Sequence, residues 1–333
     1  MLDLALLLVI GIIFLALLFD FGNGVNDAAN AVSTVVATRV LSLRTAVIMS
    51  AFFNFIGAFV FGVAVANTIG KGIIDPGIVT PFLVLAALVG AIIWVYGMTH
   101  MGMPISVSHA LIGGLIGATL VKEGMHALFL SGISKIILFI FLAPVLGFLG
   151  AVLFSLAVNL LFFKAKKTKV DKSFRWLQIL SASVYSLGHG TNDAQKTMGI
   201  ISMLLFSAGY LGTEFHVPFW VVLLSYGTIA AGTIVGGKKV IHTVGMKITR
   251  LRPVNGFCAE TSGAGVIISA TNMGIPVSTT HVISGSIMGV GATRRLSAVR
   301  WRLAGKILWA WILTMPVSAA LAALFYALLS MVI

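Results

Sequence analysis

The sequence predicts an all-α polytopic membrane protein with two inverted-topology repeats of about five membrane segments each and with interrupted or re-entrant helices. Of its 333 residues, 59% are hydrophobic and only 9% are charged, whereas a soluble domain is about 25% charged. Long stretches carry no charge, and two polar motifs each occur twice in the same order. This composition excludes a soluble enzyme, a disordered chain and a collagen-like fibre. The single cysteine, Cys258, excludes an internal disulfide framework.

The membrane segments are predicted from stretches without Asp, Glu, Lys or Arg, because roughly 20 apolar residues cross the hydrocarbon layer once. The first segment, Leu4 to Phe19, runs directly into a polar motif and is predicted to be a retained helix, not a signal peptide. The stretch 76–121 would measure about 69 Å as one helix, so it must cross twice or re-enter, with its break at Gly102 and Pro104. We expect about ten crossings in all. The charge-free stretches are 45–70, 76–121, 136–163, 215–237, 261–293 and 307–333.

The basic residues predict the orientation of the chain. The net charge is +13, and because the charges lie in loops they indicate contact with anionic membrane lipid rather than with nucleic acid. Cytoplasmic loops carry the excess of Lys and Arg. We therefore expect a multi-pass protein of the cell inner (plasma) membrane with both termini outside. The loops assigned to the cytoplasm are 164–175, 238–252 and 294–306, and those assigned to the outside are 67–80 and 210–216.

Two polar motifs recur and divide the chain into halves. The segment 22–28 (GNGVNDA) recurs at 188–194 as GHGTNDA. The segment 101–109 (MGMPISVSH) recurs at 273–281 as MGIPVSTTH. Because both motifs recur in the same order at similar spacing, the halves are interpreted as products of a duplication.

The loop charges indicate that the two halves are inverted relative to each other. The loop after the first motif contains Arg39 and Arg44, whereas the loop after its copy contains neither Lys nor Arg. Inverted repeats with interrupted helices are typical of secondary transporters, which bind their substrate near the middle of the membrane. The predicted organisation is a first inverted repeat over 1–163, a basic cytoplasmic linker over 164–175 and a second inverted repeat over 176–333.

Four acidic residues lie in or beside apolar stretches, and Asp27 and Asp193 are equivalent in the two halves. A bare carboxylate in the membrane is costly, so each requires a cation, a hydrogen-bond donor or water. The nearby glycines would allow the backbone to unwind, and unwound carbonyls with a carboxylate would suit Na⁺. The alternative is a pair of helix kinks with satisfied polar groups. The acidic residues are Asp20, Asp27, Asp193 and Glu260, and the candidate cation ligands are Asp27, Asn30, Asp193 and Glu260.

The second motif, Gly-x-Pro-x-Ser-x-Ser/Thr-His, is typical of a helix start, because Pro fits the first turn and Ser or Thr caps it. A helix N-terminus presents free N–H groups and the positive end of the dipole, which suit an oxyanion. Two such starts of opposite polarity would converge on one tetrahedral anion, while ordinary capping is the alternative. The candidate anion-binding residues are Asn26, Asp27, Ser106, Ser108, Asn192, Asp193, Gln195, Ser278, Thr279 and Thr280.

Further polar residues accompany the motifs. His109 and His281 are interpreted as packing residues. Lys196 follows Asp193 by three residues, a spacing that favours pairing with that aspartate, although snorkelling to the membrane surface or contact with the anion would also account for it. The position of His189, which replaces Asn23 in the second copy, leaves its role open.

These motifs resemble those of the inorganic phosphate transporter (PiT) family. The resemblance rests on 24–31 (GVNDAANA), 189–196 (HGTNDAQK) and the two Pro-x-Ser-x-Ser/Thr-His segments, and it covers essentially the whole chain. It implies a secondary phosphate transporter with inverted halves, driven by Na⁺ or H⁺. Glu260 matches a glutamate that is important in animal members, whereas the family's other such glutamate falls at Asn54 here.

The combined expectation is a secondary active transporter that imports inorganic phosphate coupled to Na⁺ by alternating access. An H⁺-coupled phosphate or sulfate permease and an anion channel are the alternatives. We expect no enzyme, because no nucleophile or metal set accompanies the acidic residues, and no ATP-driven transport, because the sequence has no Walker A motif. The expected partners are inorganic phosphate, Na⁺ (or H⁺) as coupling ion and membrane lipid, with no other cofactor and no nucleic acid; the oligomeric state is open, a homodimer included.

Overall fold

The computed structural model describes residues 4–332, except the side chain of Lys167. The two ends of the chain, which were expected to lie outside the membrane, fall outside the described residues. Within the described residues the chain forms twelve α-helices and no β-strand, with one isolated bridge between Ile74 and Leu128. The predicted all-α class is confirmed. In chain order the helices are α1 (Leu4–Ala37), α2 (Leu43–Val60), α3 (Ala64–Lys71), α4 (Pro81–Met101), α5 (Val107–Lys122), α6 (Leu130–Leu161), α7 (Lys167–Ser207), α8 (Phe219–Val235), α9 (Lys238–His242), α10 (Pro253–Asn272), α11 (Thr279–Ala292) and α12 (Trp301–Leu329).

Five helices are long and apolar enough to cross a membrane, namely α1, α2, α4, α6 and α12. A sixth span results if α8 and the segment 238–247, which meet at a bend of 68°, count as one broken helix. Helix α7 has 41 residues but begins with a charged stretch, and α10 has 20 residues and contains Glu260. The expected number of about ten crossings therefore stays a prediction.

The long charge-free stretch 76–121 is broken where the sequence indicated. Helix α4 ends just before Gly102, which adopts a left-handed conformation (φ 72°), and α10 ends two residues before the equivalent Gly274 (φ 67°). A side chain with a Cβ is strained at such a φ, which explains glycine at both positions. Each glycine is followed by a proline-containing segment, and α5 and α11 begin after it.

The six helices of the first half correspond in order to those of the second, and the two halves are interlocked. Helix α5 packs against α12 and α11 packs against α6, while α1 packs against α8 and α7 packs against α2. The short helical segments also form hydrogen bonds between the two halves. The Thr243 hydroxyl donates to the carbonyl oxygen of Gly102 (3.0 Å), and the Thr68 hydroxyl donates to that of Gly274 (2.7 Å). Each half therefore completes the packing of the other.

The helices that carry the first motif are not unwound there, so that expectation is wrong. Helix α1 is continuous through 22–31 and α7 is continuous through 188–196. The glycines instead permit close approach of neighbouring helices, since a Cβ on Gly190 would lie 2.6 Å from the Cα of Asn54. A Cβ on Gly24 would lie 3.0 Å from the Cα of Gly232. Side-chain oxygens, and not freed carbonyls, are therefore the groups available at this motif.

The basic segment 164–175 is not a loop throughout, because α7 begins at Lys167. Lys, Gln and Arg have high helix propensity, so the helix extends beyond the apolar part of the sequence. The position of the boundary between the two repeats stays a prediction. Basic segments contact one another at the end of the molecule where α7 begins. Arg175 donates to the carbonyl oxygen of Arg39 (2.9 Å), and Arg294 donates to that of Arg250 (3.2 Å).

Further contacts join these basic segments into one group. The N–H of Arg300 donates to the carbonyl oxygen of Ile248 (3.0 Å). Asp171 and Arg252 line the same surface cleft, which brings the segment 164–175 next to 238–252. The loop that contains Arg39 and the three basic segments therefore lie together at one end of the protein.

Candidate functional site

The polar centre of the protein lies where α1 crosses α7 and the N-terminal ends of α5 and α11 approach them. Asp27 on α1 and Asp193 on α7 are 3% and 1% exposed. Residues Ser106 and Ser278 cap α5 and α11, accepting hydrogen bonds from the N–H groups of His109 (3.2 Å) and His281 (3.4 Å). Both motifs of both halves thus meet in one buried region.

Asp27 is held by hydroxyl groups from the first turn of α11. The Thr280 hydroxyl lies 3.1 Å from its Oδ1, and the Thr279 hydroxyl lies 3.5 Å from its Oδ2. Asn30, one turn later on α1, donates its side-chain N–H groups to the same two hydroxyl oxygens at 3.1 and 2.9 Å. The first turn of α11 is positive because of the helix dipole, which stabilises the Asp27 carboxylate.

Asp193 is held by cationic and polar groups from its own helix. The Lys196 ammonium lies 2.5 Å from its Oδ1, and Nε2 of His189 lies 3.2 Å from its Oδ2. The Thr279 hydroxyl also donates to Oδ2 (3.1 Å), so this one hydroxyl lies between the two aspartates. Nδ1 of His189 lies 3.2 Å from the side-chain oxygen of Asn54.

The Lys196 side chain is buried, at 1% exposure, so it does not snorkel. Besides Asp193 it contacts the hydroxyl of Ser108 (2.5 Å) and the carbonyl oxygen of Val277 (2.8 Å). Three acceptors match the three hydrogens of an ammonium group. Lys196 therefore brings a fixed positive charge to the place where α5 begins and the segment before α11 passes.

The arrangement can hold a cation between the halves. One ligand atom from each of Asp27, His189 and Asp193 lies within 4.8 Å of the other two. Two carboxylates at this distance repel each other in a buried site unless a positive charge lies near them. Lys196 pairs directly with Asp193, whereas Asp27 accepts hydrogen bonds from two hydroxyl groups.

The two helix starts contact each other directly. The rings of His109 and His281 are edge to face with centroids 4.8 Å apart, and His281 stacks on Trp311 at 3.8 Å. The indole N–H of Trp311 donates to the carbonyl oxygen of Pro104 (3.0 Å). These contacts orient both histidines as packing groups between the helix starts.

The structure directs three predicted anion-binding side chains partly away from this centre. The Gln195 side-chain oxygen accepts from the N–H groups of Val65 (2.8 Å) and Ala66 (3.2 Å), which caps α3. The amide N–H groups of the two asparagines are also used elsewhere, since Asn26 donates to Thr99 (2.7 Å) and Asn192 donates to Thr271 (2.9 Å). Gln195 thus caps α3 through its oxygen, while its amide nitrogen and the side-chain oxygens of Asn26 and Asn192 are buried without a hydrogen-bond partner. Anion binding by these three residues stays a prediction.

Glu260, predicted as a cation ligand, lies in a separate polar cluster. Its Oε1 accepts from the Thr34 hydroxyl (2.5 Å) and from Gln178 (3.1 Å), and its Oε2 accepts from the Ser181 hydroxyl. These three donors come from α1 and α7, and neither Asp27 nor Asp193 is a hydrogen-bond partner of Glu260. Glu260 therefore belongs to a different part of the α1–α7–α10 interface.

The sequence did not assign the contacts of His189 and Asn54, although part of the signal was present. His189 and Lys196 are spaced four residues before and three residues after Asp193, which are the spacings that place side chains on one helix face. Nothing local indicated that Asn54 would face His189, because that contact joins α2 to the other half of the chain. Asn54 also donates to the Thr233 hydroxyl (3.0 Å).

Comparisons with known proteins agree with these observations. A model of the phosphate transporter family matches the chain over residues 23–170 and 163–322. The chain is 56% identical over 323 residues to a Rhizobium meliloti (strain 1021) protein described as a probable low-affinity inorganic phosphate transporter, covering 97% of both chains. It is 45% identical to a Bacillus subtilis (strain 168) protein of the same description, with 99% of both chains covered. A solved structure titled the sodium-dependent phosphate transporter superposes with a TM-score of 0.88 and 28% identity, over 98% of this chain and 100% of that chain.

Proposed function

Since the chain belongs to the phosphate transporter family, we propose that it is a secondary transporter that imports inorganic phosphate with Na⁺ by alternating access. The observation that carries the proposal is the meeting of two helix N-termini and two buried aspartates where the interlocked halves cross. In such a site the helix N-termini attract an anion, and the aspartates attract a cation. The family is one of transporters, which is not an enzyme class.

The positive side of the site is suited to phosphate. Helices α5 and α11 start here, and each N-terminus carries roughly half a positive charge with free N–H groups. The Lys196 ammonium and the Ser108 hydroxyl lie together at the start of α5. A tetrahedral oxyanion accepts hydrogen bonds on all its oxygens, so the free N–H groups of the two helix starts would donate to it, and the charge of Lys196 would attract it.

The negative side of the site is suited to Na⁺. Among the described residues, four carboxylates are buried, and Lys196 is the one buried Lys or Arg side chain. Lys196 is paired with Asp193, which leaves Asp27 with hydroxyl and amide neighbours and no cation. A Na⁺ ion there would have oxygen ligands of the kind a hard cation prefers, and the structural neighbour is titled sodium-dependent.

Membrane physics supports coupling to a cation. Moving one negative charge into a cell against an inside-negative potential of 100 mV costs about 2.3 kcal/mol. Na⁺ that enters with phosphate offsets this cost and neutralises the anion in the membrane. We place the protein in the plasma membrane with its basic end in the cytoplasm, since cytoplasmic surfaces carry the excess of Lys and Arg.

Alternating access follows from the arrangement of the halves. Each half contributes one aspartate and one helix start to the same site, and the last helix of each half packs along α5 or α11 of the other half. A movement of one half against the other would therefore open the site to one side of the membrane and then to the other, while keeping its ligands together.

The test is uptake of ³²P-phosphate into proteoliposomes that contain the purified chain. An inward Na⁺ gradient is expected to accumulate phosphate above its equilibrium level, and excess sulfate is expected not to compete. Accumulation driven by a pH gradient and independent of Na⁺ would identify an H⁺-coupled permease. Efficient competition by sulfate would reassign the substrate. Flux that never exceeds equilibrium would identify an anion channel.

A further inference from the structure

Asp20 is the most poorly satisfied acidic residue of the described part of the chain. It lies on α1 two helical turns before Asp27 and is 0% exposed. Neither of its carboxylate oxygens has a hydrogen-bond partner. The other three buried acids differ, since Glu260 has three donors, Asp193 has Lys196 and Asp27 has two hydroxyl groups.

The neighbours of Asp20 are oxygen-bearing side chains that are themselves unsatisfied. Thr197 of α7 and Asn23 of α1 lie beside its carboxyl group. The Thr197 hydroxyl and the Asn23 side-chain oxygen are buried and have no hydrogen-bond partner. A threonine inside a helix usually donates to the carbonyl one turn earlier, as Thr233 does to Ile229 (2.8 Å). The hydroxyl of Thr197 makes no such bond and stays available to the carboxyl group.

The Lys196 ammonium makes no hydrogen bond to Asp20. The three hydrogens of the Lys196 ammonium are taken by Asp193, by the Ser108 hydroxyl and by the carbonyl oxygen of Val277. A buried carboxylate within the membrane requires a compensating charge or donors. The side chains beside Asp20, Thr197 and Asn23, are neutral, so they supply no compensating charge. This points to a cation that the protein itself does not contain.

We propose that Asp20, Asn23 and Thr197 form a Na⁺ site distinct from the one at Asp27. The carboxylate, the amide oxygen and the hydroxyl are oxygen ligands of the type that hard cations prefer, and one carboxylate balances one monovalent charge. The inference rests on the proposed function, because it assigns a second coupling ion to the same transport cycle.

The position of Asp20 along α1 places the proposed Na⁺ site on the path by which the ion would reach Asp27. Helix α1 runs from its start at Leu4 toward the basic end of the protein, where Arg39 meets Arg175. Asp20 therefore lies on the side of Asp27 away from that end, about 10 Å along the helix axis. An ion that enters from the side opposite to the basic end would meet Asp20 before Asp27.

The test counts bound ions directly. Equilibrium binding of ²²Na⁺ to the purified full chain, without phosphate, is measured for wild type, Asp20→Asn, Asp27→Asn and Thr197→Val. We expect Asp20→Asn to bind one Na⁺ fewer per chain than wild type, and Asp27→Asn to retain the ion at Asp20. Thr197→Val is expected to weaken that ion's affinity by about 10-fold or more. The matched control is Thr119→Val, a buried hydroxyl without a partner on α5, which is expected to change nothing.

The outcomes separate this inference from the proposed function. Unchanged ²²Na⁺ binding in both Asp20→Asn and Thr197→Val, with loss of binding in Asp27→Asn, would overturn the Asp20 site and leave Na⁺-coupled transport standing. If wild type binds no Na⁺, both proposals are wrong. If Asp20→Asn alters only the pH dependence of uptake and not the ion count, the carboxyl group carries a proton and the Na⁺ site is refuted. Asp20→Asn keeps the shape of the side chain, and a monodisperse elution profile checks that it folds.

Discussion

Asn30 and Lys196 stand at equivalent positions of the two halves, each three residues after a buried aspartate. The amide of Asn30 is neutral and binds the hydroxyl groups of α11, whereas Lys196 pairs with Asp193 at 2.5 Å. The duplicated site is therefore electrically asymmetric. One half contains a built-in cation, and the other half offers a carboxylate that a mobile cation can bind.

Lys196→Asn makes the second half match the first and leaves Asp193 without its cation. An unpaired charge in a buried site is costly, so a Na⁺ ion must compensate Asp193 in place of Lys196. The variant is therefore expected to need about 10-fold more Na⁺ for half-maximal phosphate uptake. The measurement is ³²P uptake against Na⁺ concentration. Lys135→Asn, which removes an exposed lysine, is the control. An unchanged Na⁺ curve would show that Lys196 does not take the place of an ion.

Asp27→Asn removes the carboxylate that lacks a cation while keeping a side chain that the Thr280 hydroxyl can contact. We expect Na⁺-driven uptake to fall by about 30-fold or more, as for loss of one partner of a buried charge interaction. Protein yield and elution profile are expected to match wild type. Asp75→Asn, an exposed acid, serves as the control, and wild-type uptake in Asp27→Asn would contradict the assignment.

The starts of α5 and α11 bring their hydroxyl groups to the site in two different ways. Ser106 and Ser278 point back to the helix and accept from the N–H groups of His109 and His281. Ser108, in the first turn of α5, contacts Lys196 instead. The same motif thus contains capping serines and a serine directed to the charged centre, which the pattern of residues alone does not separate.

Capping and binding serines are expected to respond differently to alanine. Ser106→Ala and Ser278→Ala should each lower stability by about 1 kcal/mol, because a helix cap is lost. Ser108→Ala should raise the KM for phosphate by about 5-fold with little change in stability, since a hydrogen bond to a charged group is removed. Thermal unfolding and uptake kinetics on the same preparations distinguish the two effects. Equal effects on stability and KM in all three would refute the distinction.

At the scale of the whole molecule, the two halves depend on each other. The last helix of each half packs along α5 or α11 of the other half, and Thr68 and Thr243 bind the segments that follow α10 and α4 across the same division. The basic segments gather at one end, through contacts such as that of Arg175 with Arg39. Interlocking brings residues of both halves into one site, and the charge asymmetry predicts that the basic end faces the cytoplasm.

The orientation is testable with single cysteines, because the native Cys258 is buried. Thr213→Cys lies in a segment without Lys or Arg, and Lys169→Cys lies at the basic end. A membrane-impermeant maleimide is expected to label Thr213→Cys in intact cells and Lys169→Cys only after permeabilisation. The unsubstituted chain measures the background from Cys258. The reverse labelling pattern would place the basic end outside and contradict the orientation.

Several features were predictable because they depend on local chemistry. Gly102 and Pro104 restrict the backbone at their own positions, so the break between α4 and α5 was evident from the residues. The equivalence of Asp27 and Asp193 followed from the repeat. The expected unwinding at the first motif was wrong, since the conformation around Gly190 depends on the helix that packs there, which is α2 at Asn54.

The sequence by itself determined the all-α class, the two copies of each motif, the helix breaks and the residue types of the site, because apolar length, glycine, proline and charge act locally. Only the tertiary structure decided that α1 and α7 stay continuous, that Gln195 caps α3, that Glu260 lies apart and that Asp20 has no partner. Each of these depends on which distant helix faces a side chain. The residues of one chain segment cannot specify that direction, since the contact is created by packing one half of the chain against the other.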